Sequence, residues 1–205
     1  MIRRSGSGEH TWRSQNPIDF VAKCVYADCN AGWMNDIEQG AQPLLTSMVM
    51  GRRTTLDAEA QSLVAGWIGL KAVVGRYGHP PVDRVDRDWL DHFYLNHRPP
   101  ETWYEWITGY FGHMPFYYEG RDITLALPHD PTSASATPHG VLMALIVGYL
   151  AVKVLGVRRG TPSEPGATHL FRIWPVTNDK LITWPPDFHI DDPSLDTFRL
   201  AFSGS

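Results

Sequence analysis

Residues 141–157 read VLMALIVGYLAVKVLGV, and this apolar run decides the class of fold. It falls short of the roughly 20 apolar residues that a membrane-spanning helix needs. Gly148, Lys153 and Gly156 also interrupt it. A buried strand, or a pair of buried strands, therefore explains the run better than a membrane helix does. We accordingly expect a protein without a membrane partner.

Further β-prone runs lie on both sides of this segment, and clusters rich in Pro, Gly and Ser separate them. The stretches 128–140 and 158–168 have the composition of surface loops. The second half of the chain is therefore predicted to form a mainly antiparallel sheet. The runs that would supply its strands are 103–107, 123–127, 142–155, 170–174 and 181–184.

The first half of the chain has the periodicity of helices instead. The pattern predicts a helix from Ala58 to about Tyr77, with Asp57 as its N-cap. Gly66 and Gly69 interrupt this helix, and we interpret them as positions where another element packs closely. The residues that would share its apolar face are Leu63, Val64, Trp67, Leu70, Lys71 and Val74.

Two more helices are predicted. Asn35 would cap the first together with Glu38, and Pro43 would kink or restart it. The second would run over residues 87–97 and end before a pair of prolines. A strand is also predicted at residues 19–26.

These elements together indicate an α+β fold. Residues 1–16 are predicted to be a flexible or remnant segment, and residues 17–100 a mainly helical region. Residues 101–205 would form a mainly β region that packs with the helical region as one domain.

Composition restricts the functional classes. The net charge is −4, whereas proteins that hold DNA usually concentrate basic residues on one face. Here the basic residues are scattered, with short pairs at Arg3-Arg4, Arg52-Arg53 and Arg158-Arg159. Two cysteines are too few for a disulfide framework and suit a reducing compartment. Because no apolar run follows the first residues, we expect a cytoplasmic protein rather than a secreted one.

The segment Cys29-Asn30-Ala31-Gly32-Trp33-Met34 carries the chemistry that this sequence suggests. In a ββα metal finger, a histidine on the hairpin acts as general base on a water molecule. An asparagine or histidine at the helix helps to hold a divalent ion, which stabilises the charge that builds on the scissile phosphate. Cysteines that flank such a finger bind a structural zinc ion.

From Lys23 to Gly51, and then from Leu56 to Lys71, the chain resembles a group of HNH-type endonuclease proteins of actinobacteria and their phages. Members of this group show a cysteine pair that runs into Cys-Asn-x-Gly-Trp-Met, and then a helix that begins with Leu/Ile-Glu. A long helix with a central tryptophan and a lysine follows. The Trp-Pro pairs at Trp174 and Trp184 also match features of the group.

The resemblance implies a set of site residues. His10 would be the general base, Asn30 a catalytic residue and metal ligand, and Cys24 and Cys29 further metal ligands. The implied ions are a structural Zn²⁺, or a catalytic Mg²⁺ or Mn²⁺. Each residue also has a simpler interpretation: Asn30 as a cap or turn residue, the cysteines as buried thiols, and His10 as an ordinary histidine of a polar segment.

Departures from the group's pattern limit what its activity implies here. Position 26 should hold the first cysteine of a Cys-x-x-Cys pair, but that residue is Tyr26, and the earlier cysteine pair of the group is absent. Two thiols alone do not complete a four-ligand zinc site. The region 17–100 is thus interpreted as a degenerate HNH-like region with a partial ββα remnant, truncated or altered at its N-terminal side.

Two functions follow as expectations. The first is a diverged, non-catalytic HNH-endonuclease-like protein that acts as a binding, accessory or structural component, with a phage as one expected source. Its partner would be DNA, another protein or a second copy of the chain. The alternative is a divalent-metal-dependent DNA endonuclease that hydrolyses phosphodiester bonds.

Overall fold

Helices occupy most of the first half of the chain and strands most of the second half in the computed structural model. The structure describes residues 2–5, 8–11, 27–77, 87–123, 140–158, 169–176 and 180–200. Its helices are α1 (Ala27–Ala31), α2 (Trp33–Val49), α3 (Ala58–Tyr77), α4 (Arg87–Asn96) and α5 (Leu195–Leu200). Its strands are β1 (Ile2–Ser5), β2 (Gly8–Thr11), β3 (Thr54–Leu56), β4 (Trp103–Tyr110), β5 (Phe116–Ile123), β6 (Gly140–Val147), β7 (Leu150–Val157), β8 (Phe171–Trp174), β9 (Ile182–Trp184) and β10 (His189–Ile190). The predicted α+β class is confirmed.

The apolar run at 141–157 forms the hairpin β6–β7 within the main sheet. The order of strands in this sheet is β10-β4-β7-β6-β5, and β8 also pairs with β4. Every pairing in it is antiparallel except that of β10 with β4. Gly148 makes the hairpin turn with a φ of 54°, a conformation that glycine adopts without steric cost. The prediction of a mainly antiparallel sheet with a pair of buried strands here is confirmed.

Both faces of this hairpin are covered, which explains why its sequence is continuously apolar. On one face, Met143 and Val152 belong to the main core cluster, which includes residues of α2, α3 and α4. On the other face, Ala144 and Ala151 pack in a cluster with Phe198 of α5. Strands that are buried on both faces lack the alternation of apolar and polar residues that half-exposed strands show.

Helix α3 has the predicted bounds, and the predicted cap is confirmed, because the Ala60 amide donates to Asp57 Oδ1 at 2.8 Å. The predicted single apolar face is only partly right, since Leu63 is exposed. The buried positions are distributed around the helix because it packs against both α2 and the sheet. They include Ala60, Val64, Ala65, Ile68, Leu70, Ala72 and Val73.

The glycines of α3 allow neighbouring elements to approach closely, as predicted. A Cβ atom on Gly66 would lie 2.7 Å from the backbone oxygen of His97, which follows α4. A Cβ atom on Gly69 would lie 2.4 Å from Phe93 Cζ of α4. About one turn of α3, from Gly66 to Gly69, therefore forms the surface on which the C-terminal end of α4 rests.

The predicted start of α2 is wrong. The helix begins at Trp33, directly after Gly32, and no side chain caps it. Glu38 does not reach back to the helix start but forms an ion pair with Lys71 of α3. Pro43 lies inside the helix without restarting it. Burial of the α2 residues Ala41, Leu45 and Met48 in the main core holds both sides of the proline in one helix.

Two tryptophans connect the C-terminal strands to the helical half. The indole Nε1–H of Trp174 donates to the Pro100 carbonyl at 3.0 Å, and that of Trp184 donates to the Met48 carbonyl at 3.1 Å. The short strand β3 also pairs with β9. Residues from both halves of the chain therefore share the main core and its hydrogen bonds.

Several predictions concern residues outside the described ranges. These are the strand at 19–26, most of the run at 123–127, and most of the two loops at 128–140 and 158–168. Residues 2–5 and 8–11 pair as an antiparallel hairpin. The ββα arrangement and the three-part division of the chain remain predictions. No helix in the described ranges is both long and apolar enough to cross a membrane.

Candidate functional site

The segment from Cys29 to Met34 forms the junction between α1 and α2. The Gly32 amide donates to the Asp28 carbonyl at 2.9 Å, and a Cβ atom at Gly32 would lie 2.9 Å from the same oxygen. Glycine therefore lets the chain close α1 tightly and turn into α2. Cys29 is half-buried with a free thiol, whereas Asn30 is exposed.

The apolar members of this segment point into the core. Met34 and Ile37 are buried together with Leu70 of α3, and Cys29 packs against them. Trp33 is half-buried, and its ring contacts those of Tyr94 and His97 at centroid distances of 6.0 and 6.2 Å. The interpretation as core is confirmed for Met34 and Ile37, whereas Trp33 lies at the edge of the core. Cys29 has the surroundings of a packed thiol.

The predicted metal site lies largely outside the described residues, so the structure does not test it. His10 lies on β2, where it is paired with Arg3 of β1, and its side chain is outside the description. Cys24 is also outside the described residues. Among the side chains that are described, no three His, Cys, Asp or Glu residues are grouped so as to hold a metal ion. The metal ligands, and the role of His10, therefore remain predictions.

An open groove with a volume of about 490 Å³ runs along α2. One side carries the polar side chains of Asn35, Gln39, Gln42 and Thr46. Their spacing of three and four residues places them on one face of the helix. Trp67 of α3 also lines the groove. We call this surface the α2 groove.

Two arginines follow the end of the α2 groove. Met50, the lining residue that directly follows α2, precedes Gly51, whose φ is 66°. Arg52 and Arg53 come next, and both are exposed. The Arg52 amide donates to the Ser47 carbonyl at 2.8 Å, so the first turn after α2 is held in place.

A cluster of exposed rings adjoins these arginines. Phe111, Tyr149 and Phe188 are 49%, 42% and 65% exposed, and His189 is exposed next to Phe188. The Phe111 ring lies 5.1 Å from that of Tyr149 and 4.5 Å from that of His189, between centroids. A Cβ atom on Gly51 would lie 3.1 Å from the Tyr149 ring. We call Phe111, Tyr149, Phe188 and His189 the aromatic rim.

Sequence reasoning missed the aromatic rim because its members are dispersed along the chain. Each lies at a strand end or beside one, where β4, β6, β7 and β10 meet. The exposed position of Tyr149 in a two-residue hairpin turn was the available signal, because a ring in such a turn has few neighbours to cover it. The pairing of β10 with β4, which brings His189 beside Gly109, could not be foreseen.

Two charged side chains are completely buried in the sheet. Glu105 of β4 lies beneath α3, and burial raises the pKa of its carboxyl well above the usual range. Lys153 of β7 lies on the opposite face, where its Nζ donates to the Phe198 carbonyl of α5. Burial, reinforced by the charge of Arg121, lowers the pKa of Lys153 to about 7, although Glu119 opposes this shift.

A hydrogen-bonded array is formed by Tyr110, Asp192 and His113 near the aromatic rim. Tyr110 donates its hydroxyl proton to Asp192 Oδ1, and His113 Nδ1 lies 2.9 Å from Asp192 Oδ2. The Tyr110 bond, followed by the bonds from His113, lowers the pKa of Asp192 to about 2. The carboxylate therefore stays charged while its oxygens are engaged by neighbouring donors.

The described surface thus combines a polar groove, an arginine pair and an aromatic rim in one series of contacts. Its amides, guanidinium groups and rings can form hydrogen bonds, bind phosphates and stack. No known protein family, curated protein or solved structure matches this chain.

Proposed function

We propose that this chain is a diverged HNH-endonuclease-like protein that binds DNA without cleaving it, as an accessory or structural component. The observation that carries this proposal is the α2 groove, together with Arg52 and Arg53 at its end. The proposal extends the resemblance of the Cys29–Met34 segment to a nucleic-acid-processing group.

The chemistry of the α2 groove suits the edges of base pairs. Asn and Gln side chains each present a donor and an acceptor, and they form bidentate contacts with adenine in the major groove of DNA. Helix α2 has 17 residues, which corresponds to a length of about 25 Å. Because this length exceeds the major-groove width of about 12 Å, the helix would lie along the groove and not across it.

The charges near the groove are compatible with a polyanion. Arg52 and Arg53 would contact phosphates and so fix the register of the protein on DNA. Glu38, which also lines the groove, forms an ion pair with Lys71. The Lys71 Nζ lies 5.7 Å from the centre of the Trp67 ring, so this cation stays at the groove.

Asn30 favours the endonuclease as a second candidate. It is exposed on α1 while its neighbour Cys29 packs inward, so the Asn30 amide is accessible to an ion or a phosphate. A catalytic role would additionally require ligands from outside the described residues. DNA binding needs only the surface that has been described.

Binding of a labelled DNA duplex by fluorescence anisotropy tests the proposal. We expect the Arg52→Ala/Arg53→Ala variant to bind more weakly, with the slope of log K against log[salt] reduced by about 2. Gln39→Ala/Gln42→Ala should weaken binding to adenine-containing sites by roughly 1 to 3 kcal/mol for each lost base contact. Arg87→Ala, an exposed change on α4, is the control and should bind like wild type.

A plasmid-nicking assay with Mg²⁺ or Mn²⁺ separates the two candidates. Binding without nicking is the expected result. Nicking that is lost in Asn30→Ala would replace the proposal with the endonuclease. Wild-type affinity in both groove variants, or no affinity for DNA in the wild type, would refute the proposed binding surface.

A further inference from the structure

The rings of the aromatic rim are held in place by backbone hydrogen bonds between elements. The Tyr149 amide donates to the Val49 carbonyl of α2 at 3.0 Å, and the Tyr149 carbonyl accepts from the Tyr110 amide at 2.9 Å. The Phe111 amide donates to the Ile190 carbonyl at 2.9 Å. The backbone that carries Tyr149 and Phe111 is therefore held in place by the ends of the main sheet and of α2.

The rim leaves more aromatic surface in water than folding requires. Its phenylalanines and tyrosine are exposed by roughly two fifths to two thirds, although the Phe111 ring contacts those of Tyr149 and His189. Contiguous exposed apolar patches on soluble proteins usually mark binding sites. Exposed rings that are fixed from behind can accept a planar ligand with little loss of conformational entropy.

The charges around the rim select the class of ligand. Arg52 and Arg53 follow Gly51, which contacts the Tyr149 ring. The two carboxylates that follow β10 keep their charge while their oxygens accept hydrogen bonds: Asp191 accepts from Ser194, and Asp192 accepts from Tyr110 and His113. A third carboxylate, Asp187, precedes Phe188, so phosphates would bind at the Tyr149 end of the rim, next to Gly51 and the two arginines that follow it.

We infer that the aromatic rim binds unpaired bases of single-stranded nucleic acid, while Arg52 and Arg53 bind the adjoining phosphates. Every base has a face that stacks on an aromatic ring, so such a site tolerates different sequences. This inference rests on the proposed function and extends it from paired DNA at the α2 groove to unpaired strands at the rim.

The test uses the full chain and a fluorescent oligothymidylate of about 15 nucleotides, which has no stable secondary structure. We expect the Tyr149→Ala/Phe188→Ala variant to bind it about ten- to a hundredfold more weakly than wild type. Tyr149→Phe should retain the wild-type affinity, because it keeps the ring. The control is Tyr94→Ala/Leu95→Ala, which removes two exposed apolar side chains of α4 and should have no effect.

Duplex binding, measured on the same variants, distinguishes this inference from the proposed function. The rim variant should bind the duplex within about twofold of wild type. The α2 groove variant, Gln39→Ala/Gln42→Ala, should bind the duplex more weakly than wild type. Unchanged oligothymidylate affinity in the rim variant would overturn the inference and leave the proposed function intact. A wild-type dimer that dissociates in the rim variant would also overturn it, since the rim would then be an interface between two copies.

Discussion

Glu105 is a carboxylic acid enclosed in the core. Neither carboxyl oxygen has a hydrogen-bond partner among the described residues, and a Cβ atom on Gly69 would lie 3.1 Å from Glu105 Oε1. Burial raises its pKa, so the folded protein favours the protonated, neutral form. The unfolded chain releases this proton at about pH 4. The free energy of unfolding therefore falls as the pH rises above that value.

We expect Glu105→Gln to be more stable than wild type at pH 8. Glutamine keeps the shape of the side chain and is neutral without binding a proton. The free energies of unfolding of the two proteins should approach each other towards pH 5. At that pH a larger share of the wild-type side chain is protonated in both the folded and the unfolded state. Urea unfolding at both pH values measures the difference. Glu101→Gln, an exposed change beside β4, is the control. A variant less stable than wild type at pH 8 would indicate that the carboxylate is paired.

Individual residues were predictable where the pattern had one interpretation. The burial of Met34 and Ile37 followed from their apolar character within a helical segment. The burial of Glu105 and Lys153 could not be predicted, because both faces of their strands are covered. In such strands the alternation of residues does not show which charged side chain reaches water.

At the scale of elements, a glycine of α3 and a glycine of α2 have different surroundings. Gly66 of α3 is buried against a backbone oxygen, 2.7 Å from where its Cβ atom would lie. Gly40 of α2 is exposed, and its Cβ atom would lie 3.3 Å from Cδ2 of the exposed Leu63 side chain. The His97 backbone oxygen cannot move away from Gly66 without shifting the end of α4. The Leu63 side chain, in contrast, can rotate away from Gly40.

We therefore expect opposite effects of the same substitution. Gly66→Ala should lower the free energy of unfolding by roughly 1 to 3 kcal/mol, because overpacking outweighs the gain in helix propensity. Gly40→Ala should raise it by up to about 1 kcal/mol. Chemical unfolding of the two variants gives both values. Equal effects would show that helix propensity, rather than packing, governs both positions.

The sequence predicted the elements whose signals are local. Helix α3 was predicted with its cap because Asp57 and the spacing of apolar residues lie within the helix region itself. The start of α2 was misplaced because Asn35, with Glu38 three residues later, resembles a capping box. There, tertiary burial outweighs local preference. The α2 groove and the aromatic rim depend on how distant elements meet, so no local pattern reveals them.

At the scale of the whole molecule, Lys153 couples the sheet to the last described helix. Its Nζ donates to the Phe198 carbonyl and lies 5.4 Å from the centre of the Phe198 ring. Its pKa of about 7 in the folded protein lies below the value of about 10.4 in an unfolded chain. The unfolded chain thus binds more protons between these values. The free energy of unfolding should therefore rise as the pH increases from about 7 towards 10.

We expect Lys153→Met to lose this rise in the free energy of unfolding. The rise amounts to at most about 3 to 5 kcal/mol. Chemical unfolding of wild type and variant at pH 7, 8.5 and 10 measures this effect. The difference between the two free energies of unfolding at each pH removes the contribution of other titrating groups. Lys180→Met, at an exposed position, is the control and should keep the wild-type dependence. A parallel pH dependence in wild type and Lys153→Met would refute the assignment.

The bond from Trp184 to the Met48 carbonyl has a consequence for how a cell makes this protein. The two residues are 136 positions apart, and α2 leaves the ribosome first. At about 5 to 20 residues per second, synthesis of the intervening chain takes on the order of 7 to 27 s. Throughout that interval, the end of α2 and the edge of β3 lack their partners. A product that ends before Trp184 lacks these partners, so we expect proteases to degrade it faster than the full chain.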